Sequence, residues 1–295
     1  MVEELSLFPE LKKVDKTTLI IIGNGFDISH GIKTRYSDFR NWLLSQKNNN
    51  LVALMDTFFS NERDVWGNLE AALGEYDEGG VLSYCRPDEE FDFDHSLSSA
   101  ARVEDSPNDI FLPVLEDFKD RFKEWVDSID LIGVQKEKSL PADALYLTFN
   151  YTDTLETIYG IPPQNIAHIH GSRQLKDEYI IGHNNTRNPS DAWDEESLDF
   201  ECQAKENIIS WMNELVKNYR DNIRKHQDFF NRIINVKQII TYGHSMSEID
   251  WPYFEEIISK IGRDIPWRVS CFSETDVANA HRFGSHFNLT NLSII

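Results

Sequence analysis

Two glycines directly follow an apolar, β-branched run, where a strand would pass into a helix. Residues 19–31 read LIIIGNGFDISHG, so Gly23-Asn24-Gly25 comes straight after the isoleucines. Glycine allows a tight turn and a close backbone approach, and a helix N-terminus offers free N–H groups. The segment predicts a diphosphate-binding turn, with Asp27 either beside the ligand or capping its own helix. The spacing is not GxGxxG, and a plain strand-to-helix turn is the alternative.

A second group of polar residues follows another predicted strand, in LTFNYTDTLETIYG. Asn150 stands where the strand ends, and Asp153 stands at the start of a short helix. The amide of Asn150 both donates and accepts, so it could hold a water molecule or a ribose hydroxyl. Asp153 could act similarly. The alternative is that Asn150 is a turn residue and that Thr152 or Asp153 caps the helix.

Two histidines lie close together in AHIHGS, and Gly171 permits a sharp exit from the strand. His168 and His170 alternate, so only one of them faces a given side of the strand. A histidine that titrates near neutral pH can move protons, whereas a hydrogen-bonded structural histidine is the alternative. Since no third ligand cluster joins them, no metal site is expected here.

A fourth strand end is predicted in ITYGHSMSEID, where Gly243, His244 and Ser245 precede a helix. This junction could bind a ribose or an adenine. Glu248 and Asp250 are assigned to the first helical turn, where they favour the helix dipole. All four segments lie at carboxyl ends of predicted strands, which is where open α/β sheets bind nucleotides.

The elements that would position these residues alternate between strands and helices. This order predicts an α/β, Rossmann-like, mainly parallel sheet with helices on both faces. An inserted helical layer is expected at about residues 37–130, with an acid-rich loop at about 86–109. A long helix is expected over 198–230, with Ser247 and Ser273 capping the helices that follow. The expected strands are 17–22, 144–150, 165–171, 178–183, 237–245, 267–273 and 291–295.

The composition restricts the classes of partner. The chain has 295 residues and a net charge of −21, which disfavours nucleic acid and anionic membranes. Its three cysteines lack CxxC spacing, so neither a disulfide framework nor a zinc site is expected. The N-terminal residues do not read as a signal peptide and no apolar run could span a membrane, so we expect a cytoplasmic protein.

Taken together, the motifs resemble the bacteriophage abortive infection AbiH family. The resemblance runs from about Thr17 to Ile258 and rests on IIIGNGFDISHGIKTRYSDF, WGNLE, TFNYTDTLE, HIHGS, IIGHNN and YGHSMSEIDWPYFEEI. The family is associated with phage resistance in bacteria. The resemblance therefore implies a role in phage defence, with a phage trigger protein as a candidate partner and homo-oligomerisation left open.

More distantly, the order of the motifs is similar to that of the sirtuin-like superfamily. Sirtuins have Gly-Ala-Gly, Gly-Ile and Asp-Phe-Arg motifs, then an Asn and an Asp, a catalytic His before Gly, and a Gly-x-Ser. The spacing between the second and third motifs differs here, and the paired cysteines of the deacetylase zinc module are missing. The matching residues are Gly23, Asn24, Gly25, Gly31, Ile32, Asp38, Phe39, Arg40, Asn150, Asp153, His170, Gly171, Gly243 and Ser245.

This resemblance implies one sirtuin-like domain over residues 1–295 that binds NAD. The loop Gly23–Gly25 would hold the diphosphate, and residues 243–245 would hold the adenosine half. Asp38 and Arg40 would enclose the nicotinamide end. Asn150 would orient a water molecule, and His170 would contact the ribose hydroxyls or accept a proton during cleavage of the glycosidic bond.

Three classes of function remain open from the sequence. The first is an NAD-hydrolysing enzyme of phage defence. The second is a sensor that binds NAD or a related nucleotide without turnover. The third is an interaction protein that acts through its acid-rich loop. Nicotinamide release and nucleotide binding distinguish the three.

Overall fold

The computed structural model describes residues 17–59, 64–86, 96–137, 139–194 and 197–295. They form two compact units. The sheet unit contains the described residues up to Arg35 together with Val126–Ile180 and Asn218–Ile295, and the helical unit contains Tyr36–Trp125 and Ile181–Lys217.

One six-stranded sheet organises the sheet unit. All neighbouring strands are parallel, in the order β3-β2-β1-β4-β5-β6. This arrangement confirms the predicted α/β, Rossmann-like fold. The strands are β1 (Thr18–Ile22), β2 (Leu145–Thr148), β3 (Ile166–His168), β4 (Gln238–Tyr242), β5 (Trp267–Val269) and β6 (Leu292–Ile294).

Twelve α-helices accompany these strands in the described residues. Six of them lie wholly between β1 and β2, as the predicted helical insertion requires. They are α1 (Asn24–Ser29), α2 (Tyr36–Ser45), α3 (Asn49–Phe59), α4 (Leu69–Gly74), α5 (Glu78–Cys85), α6 (Ser96–Ser128), α7 (Thr154–Thr157), α8 (Asp199–Asn213), α9 (Tyr219–Lys225), α10 (Gln227–Arg232), α11 (Trp251–Ile261) and α12 (Glu274–His286).

The central strand is apolar on both sides because helices cover both faces of the sheet. Leu19 and Ile21 pack into one hydrophobic core with residues of α10, α11 and α12. Ile20 and Ile22 point the other way, into a second core with residues of α1 and α7. Alternate side chains of β1 thus pack into two different cores, as expected for a buried parallel strand.

An aromatic cluster stabilises the helical unit. The ring centroid of Phe39 in α2 lies 5.1 Å from that of Trp125 and 5.4 Å from that of Phe122, both in α6. Phe118 of the same helix is 6.1 Å away. The spacing of three and four residues along α6 brings these rings onto one face, as expected for an amphipathic helix.

The prediction of an acid-rich loop at about 86–109 is wrong from Ser96 onward, because α6 begins there. The remaining positions, 87–95, lie outside the described residues. Charge had obscured the helical pattern, but Val103 and Ser106 are buried one turn apart. Contacts to α8 support this end, since Trp211 Nε1 donates to Asn108 Oδ1 at 3.0 Å.

The prediction of one long helix over 198–230 is also wrong, because the chain forms α8, α9 and α10 instead. The interruption after α8 carries a parallel bridge between Val216 and His183. Asn218 then starts a new helix, since its side chain accepts a hydrogen bond from the Asp221 N–H at 3.1 Å. Asn218, a helix-capping residue, therefore interrupts the helix that was predicted over 198–230.

The strand expected over 178–183 is absent, and only the bridge at His183 forms. The backbone of this segment is divided between two partners. The N–H of Ile180 donates to the carbonyl of His170 at 2.9 Å, whereas the N–H of His183 donates to the carbonyl of Leu215 at 3.1 Å. A segment whose hydrogen bonds go to two loops has no neighbouring strand with which to form a ladder.

Two predicted helix caps are confirmed. The side chain of Ser247 accepts a hydrogen bond from the Ile249 N–H at the start of a 3₁₀ turn, Glu248–Asp250, which leads into α11. Ser273 accepts one from the Asp276 N–H and starts α12. Gly262 follows α11 with a φ of +85°, a conformation that favours glycine.

A buried histidine makes the helical unit sensitive to acid. His183 Nδ1 accepts from the Asn185 N–H, so the neutral ring carries its proton on Nε2, which donates to the Met212 carbonyl at 3.0 Å. Burial lowers the pKa of His183 below its ordinary value of 6.5. The stability that depends on the neutral ring is complete above about pH 6.5 and is lost as the pH falls through the lowered pKa.

We therefore expect the free energy of unfolding to decrease as the pH falls below about 6.5. His183→Gln retains a donor for Met212 but does not titrate. It should cost about 1–2 kcal/mol at neutral pH and make the pH dependence shallower. Urea unfolding at each pH measures both effects, and exposed His281→Gln is the control. Equal slopes for wild type and His183→Gln would contradict this assignment.

Candidate functional site

The candidate site lies at the carboxyl edge of the sheet, around the end of β1. The strand order places β2 on one side of β1 and β4 on the other. The chain therefore reverses its direction of progress through the sheet between β1 and β4, which makes this edge a topological switch point. Loops after β1, β2, β3 and β4 supply the residues described below.

Two glycine turns cross at this switch point. The Gly25 N–H donates to the Gly243 carbonyl at 2.7 Å, and the Gly23 N–H donates to the Tyr242 carbonyl at 3.0 Å. Gly243 has a φ of +66°, and a Cβ there would lie 2.2 Å from the Phe26 nitrogen. The close crossing of two backbones accounts for these glycines, so a diphosphate is not needed to explain them.

The other residues of these two turns face outward or anchor the loops. Asn24 is exposed, and its Nδ2 donates to the Thr34 carbonyl at 2.8 Å. Ser245 is also exposed, and its carbonyl accepts from Asn279 Nδ2 at 3.1 Å. Both positions at the switch point can be reached by a ligand.

The central feature of the site is a carboxylate between two imidazoles. Asp250 Oδ1 lies 3.4 Å from His170 Nε2, and Asp250 Oδ2 lies 3.4 Å from His244 Nε2. All three side chains are at least nine-tenths buried. The sequence analysis assigned Asp250 to a helix dipole, so its contact with the two histidines was missed.

The tautomer of one imidazole follows from its neighbours. The Met246 N–H donates to His244 Nδ1 at 3.0 Å, so this nitrogen carries no proton. The proton of a neutral His244 ring is therefore on Nε2 and faces Asp250. Met246 has a φ of +55°, which turns the backbone N–H toward the ring. Asp250 thus receives one N–H from His244 and offers its other oxygen to His170.

Aromatic rings surround the two histidines. The Phe149 ring centroid lies 4.3 Å from that of His244 and 5.2 Å from that of His170. Tyr253 approaches His170 from α11 at 5.7 Å. A carboxylate among these rings interacts with the imidazoles more strongly than it would in water, because the local dielectric constant is low.

Asn150 follows β2 and is held through its backbone. Its N–H donates to Thr148 Oγ1 at 3.1 Å, and its carbonyl lies 3.1 Å from His168 Nδ1. The side chain is 6% exposed, yet neither Nδ2 nor Oδ1 has a hydrogen-bond partner among the described residues. Buried amide atoms are rarely left unpaired, so this amide is available to a ligand or a water molecule.

His168 is the structural member of the histidine pair. Its Nδ1 faces the Asn150 carbonyl, and its Nε2 lies 2.8 Å from Glu156 Oε1. Since a carbonyl only accepts, Nδ1 must donate. His170, beyond the end of β3, is the one that faces Asp250. The strand ends at His168, so the predicted alternation along it does not apply to His170, but the two rings have different partners. Gly171 follows with a φ of +92°.

Asp27 is the most deeply buried carboxylate of the site. It does not cap α1, since its Oδ2 accepts from Thr152 Oγ1 at 2.5 Å, while Oδ1 has no partner among the described residues. Burial raises the pKa of Asp27 above its ordinary value. Hydrogen bonding from Thr152 and Thr154 opposes that shift, as do the nearby Asn150 amide and the charge of His30.

Asp153 is engaged in an ion pair. Arg173 Nε donates to its Oδ1, and Thr157 Oγ1 donates to its Oδ2 at 2.5 Å. Burial alone would raise the pKa of Asp153, but these two partners outweigh it and lower the pKa below its ordinary value. The carboxylate is therefore held charged, and it ties the start of α7 to the loop after β3.

Two further candidates and one buried ion pair belong to the helical unit. Asp38 and Arg40 lie in α2, where Arg40 is 3.6 Å from Asp56. Glu70 in α4 forms an ion pair of 2.9 Å with Lys217, whose side chain is completely buried. Asp38 and Arg40 were assigned to the nicotinamide end of a ligand, and that assignment stays a prediction.

The described residues offer neither a metal-binding cluster nor a membrane-spanning helix. They contain no group of three or more His, Cys, Asp and Glu side chains that could hold a metal ion. None of the helices they form combines the length and apolar character needed to cross a membrane.

Comparison with known proteins gives one match. The model of a protein family described as "Bacteriophage abortive infection AbiH" matches residues 19–271, which include every element of the candidate site. The chain matches no curated protein and no solved structure.

Proposed function

Since the chain belongs to the AbiH family of bacteriophage abortive infection, we propose that it acts in phage defence by hydrolysing the nicotinamide glycosidic bond of NAD. The observation that carries this proposal is the buried, unpaired amide of Asn150 at the switch point of a Rossmann-like sheet. Open sheets of this kind bind nucleotides at that place. The order of the motifs, similar to that of sirtuins, indicates NAD among the nucleotides.

The reaction requires a stabilised cation and an oriented water molecule. Cleavage of the bond between ribose C1′ and the pyridinium nitrogen leaves an oxocarbenium-like centre, and the bond electrons neutralise the departing nicotinamide. Asn150 orients the water through an amide that both donates and accepts. His170, supported by Asp250, contacts the ribose hydroxyls near the reacting carbon.

The rest of the ligand lies along the switch point. Asn24 and Ser245 are exposed there and offer polar groups to the diphosphate and the adenosine ribose. Because the N–H groups of Gly23 and Gly25 already bond within the protein, the diphosphate is held by side chains and by the remaining loop backbone. This differs from the cradle that the glycine motif alone predicts.

Nicotinamide release by the purified protein tests the proposal. Asn150→Ala should lower the rate by about 10²-fold, because misplacement of the attacking water has a cost of this size. NAD affinity, measured by calorimetry, should change much less. Asn231→Ala, which removes an exposed acceptor of Gln227 within α10, is the matched control for folding and binding.

The outcomes separate the three classes of function. Nicotinamide release that falls about 10²-fold in Asn150→Ala supports hydrolysis. If the protein binds NAD but releases no nicotinamide, even when cells that express it are infected by phage, the proposal of a hydrolase is replaced by that of a nucleotide sensor. If the protein neither binds NAD nor releases nicotinamide, including during infection, the proposed nucleotide chemistry is wrong. The interaction protein is then the remaining class of function.

A further inference from the structure

Three polar atoms around the end of β1 have no hydrogen-bond partner among the described residues. They are Asp27 Oδ1, Asn150 Nδ2 and Asn150 Oδ1, and each is inaccessible to solvent. The Asn150 amide is also close enough to Asp27 to favour its charged form. An unpaired buried polar atom costs about 1–3 kcal/mol, so several in one place indicate a bound polar group.

We propose that Asp27 and Asn150 together hold the attacking water molecule, and that Asp27 accepts its proton. This inference rests on the proposed function and adds a residue to it. A water molecule needs two to four polar partners, and an acceptor oxygen beside an amide meets that need. The amide donates to the water oxygen through Nδ2, and the carboxylate accepts a water proton.

The chemical step is balanced. The water oxygen forms a bond to ribose C1′ while the bond from C1′ to the nicotinamide nitrogen breaks. The electron pair of that bond stays with the departing ring. One water proton passes to Asp27 Oδ1 and then to solvent, and ADP-ribose and nicotinamide are the products.

The surroundings of Asp27 suit a base. A carboxylate removed from water is more basic than an exposed one, and general bases are most effective when their pKa lies near the working pH. The hydrogen bond from Thr152 at 2.5 Å holds Oδ2 and leaves Oδ1 for the water. His30 also interacts electrostatically with Asp27, and its Nε2 is bonded to the Tyr159 hydroxyl.

Asp27→Asn is the direct test, because asparagine has the same shape and can still accept the Thr152 hydrogen bond. Nicotinamide release should fall by about 10²-fold, while NAD affinity stays within about threefold of wild type. Asp264→Asn is the matched control, since exposed Asp264 also accepts a threonine hydroxyl, from Thr290 at 2.7 Å. It should leave the rate unchanged.

Thr152→Val separates a base from a structural carboxylate. Removal of this hydroxyl withdraws a hydrogen bond that favours charged Asp27. The acid limb of the pH–rate profile should therefore move to higher pH, while the rate at high pH is retained. A structural role would lower the rate equally at all pH values. Thr290→Val is the matched control.

A crystal structure of the ligand-free protein tests the water site without any activity. A water molecule within about 3.2 Å of Asp27 Oδ1 and the Asn150 amide is expected. If density shows none, the water site is overturned.

The kinetic outcomes keep the two proposals apart. Nicotinamide release that falls about 10²-fold in Asn150→Ala but is unchanged in Asp27→Asn overturns the role of Asp27 alone. A wild-type protein that neither binds nor hydrolyses NAD overturns the proposed function and the base role together.

Discussion

Replacement of Asp250 by asparagine should lower nicotinamide release by about 10³-fold, since loss of the carboxylate that orients a catalytic histidine has an effect of this order. The change keeps the shape of the side chain and removes only its charge and one acceptor. NAD affinity should remain within about threefold of wild type, because Asp250 itself is buried behind the two histidines.

The reason is the fixed tautomer of His244. Its Nδ1 accepts from the Met246 N–H, so its Nε2–H must find an acceptor. In Asp250→Asn the amide oxygen takes that role, and the amide NH₂ is left facing His170 Nε2. Since NH₂ only donates, His170 must present a bare Nε2 and carry its proton on Nδ1. The variant thus holds His170 in the wrong tautomer.

Two measurements check this result. Nicotinamide release gives the rate, and ¹⁵N NMR of the histidine side chains reports which nitrogen of His170 carries the proton. Asp264→Asn, an exposed aspartate in the same unit, controls for the loss of one charge. If Asp250→Asn leaves both the rate and the tautomer unchanged, the pairing of His170 with Asp250 does not govern the site.

Residues that follow strands were predictable because strand patterns are local. The apolar run of β1 and the polar residues directly after it are visible in the sequence, and a parallel sheet brings such ends to one edge. Asn150 and His170 were found in this way. Their placement needed only the identity of the strands, not the contacts between them.

Asp250 was missed because its role depends on a turn. The 3₁₀ turn that ends at Asp250 directs its carboxylate toward the loops after β3 and β4 rather than along α11. The sequence did contain a signal for the position of Asp250. Pro252 favours the first turn of a helix, so α11 starts at Trp251 and Asp250 stands at its N-cap position. A side chain there can face a neighbouring loop.

The sequence analysis placed Asp27 beside a ligand or at a helix cap, and it missed the actual contacts of Asp27 for a different reason. Its hydrogen-bond partner Thr152 and the nearby Asn150 come from the segment after β2, far along the chain. The crossing of Gly25 and Gly243 likewise requires that β4 lie beside β1. No local pattern specifies strand order, so these contacts could be read only from the folded protein.

The second large effect concerns stability. We expect Gly243→Ala to lower the free energy of unfolding by at least about 3 kcal/mol, because a new Cβ would overlap backbone that cannot move aside. That Cβ would lie 2.2 Å from the Phe26 nitrogen and 2.9 Å from the Gly25 Cα. The positive φ of +66° adds strain of its own, since alanine disfavours this region.

Gly160→Ala is the matched control. Gly160 has a φ of +69°, but a Cβ there would have no heavy atom within 4 Å. It therefore carries the same conformational strain without the overlap, and should cost about 1–2 kcal/mol. Urea unfolding of both variants without ligand gives the difference, which isolates the contact between the two turns.

The comparison decides between two explanations of the same glycines. If they exist for the backbone crossing, Gly243→Ala destabilises the ligand-free protein far more than Gly160→Ala does. If they exist so that a diphosphate can approach, the two variants unfold alike, and only NAD affinity falls in Gly243→Ala. The second result would mean that the hydrogen bond from Gly25 to Gly243 opens to admit a ligand. The glycine motif would then be the diphosphate turn that its sequence suggests.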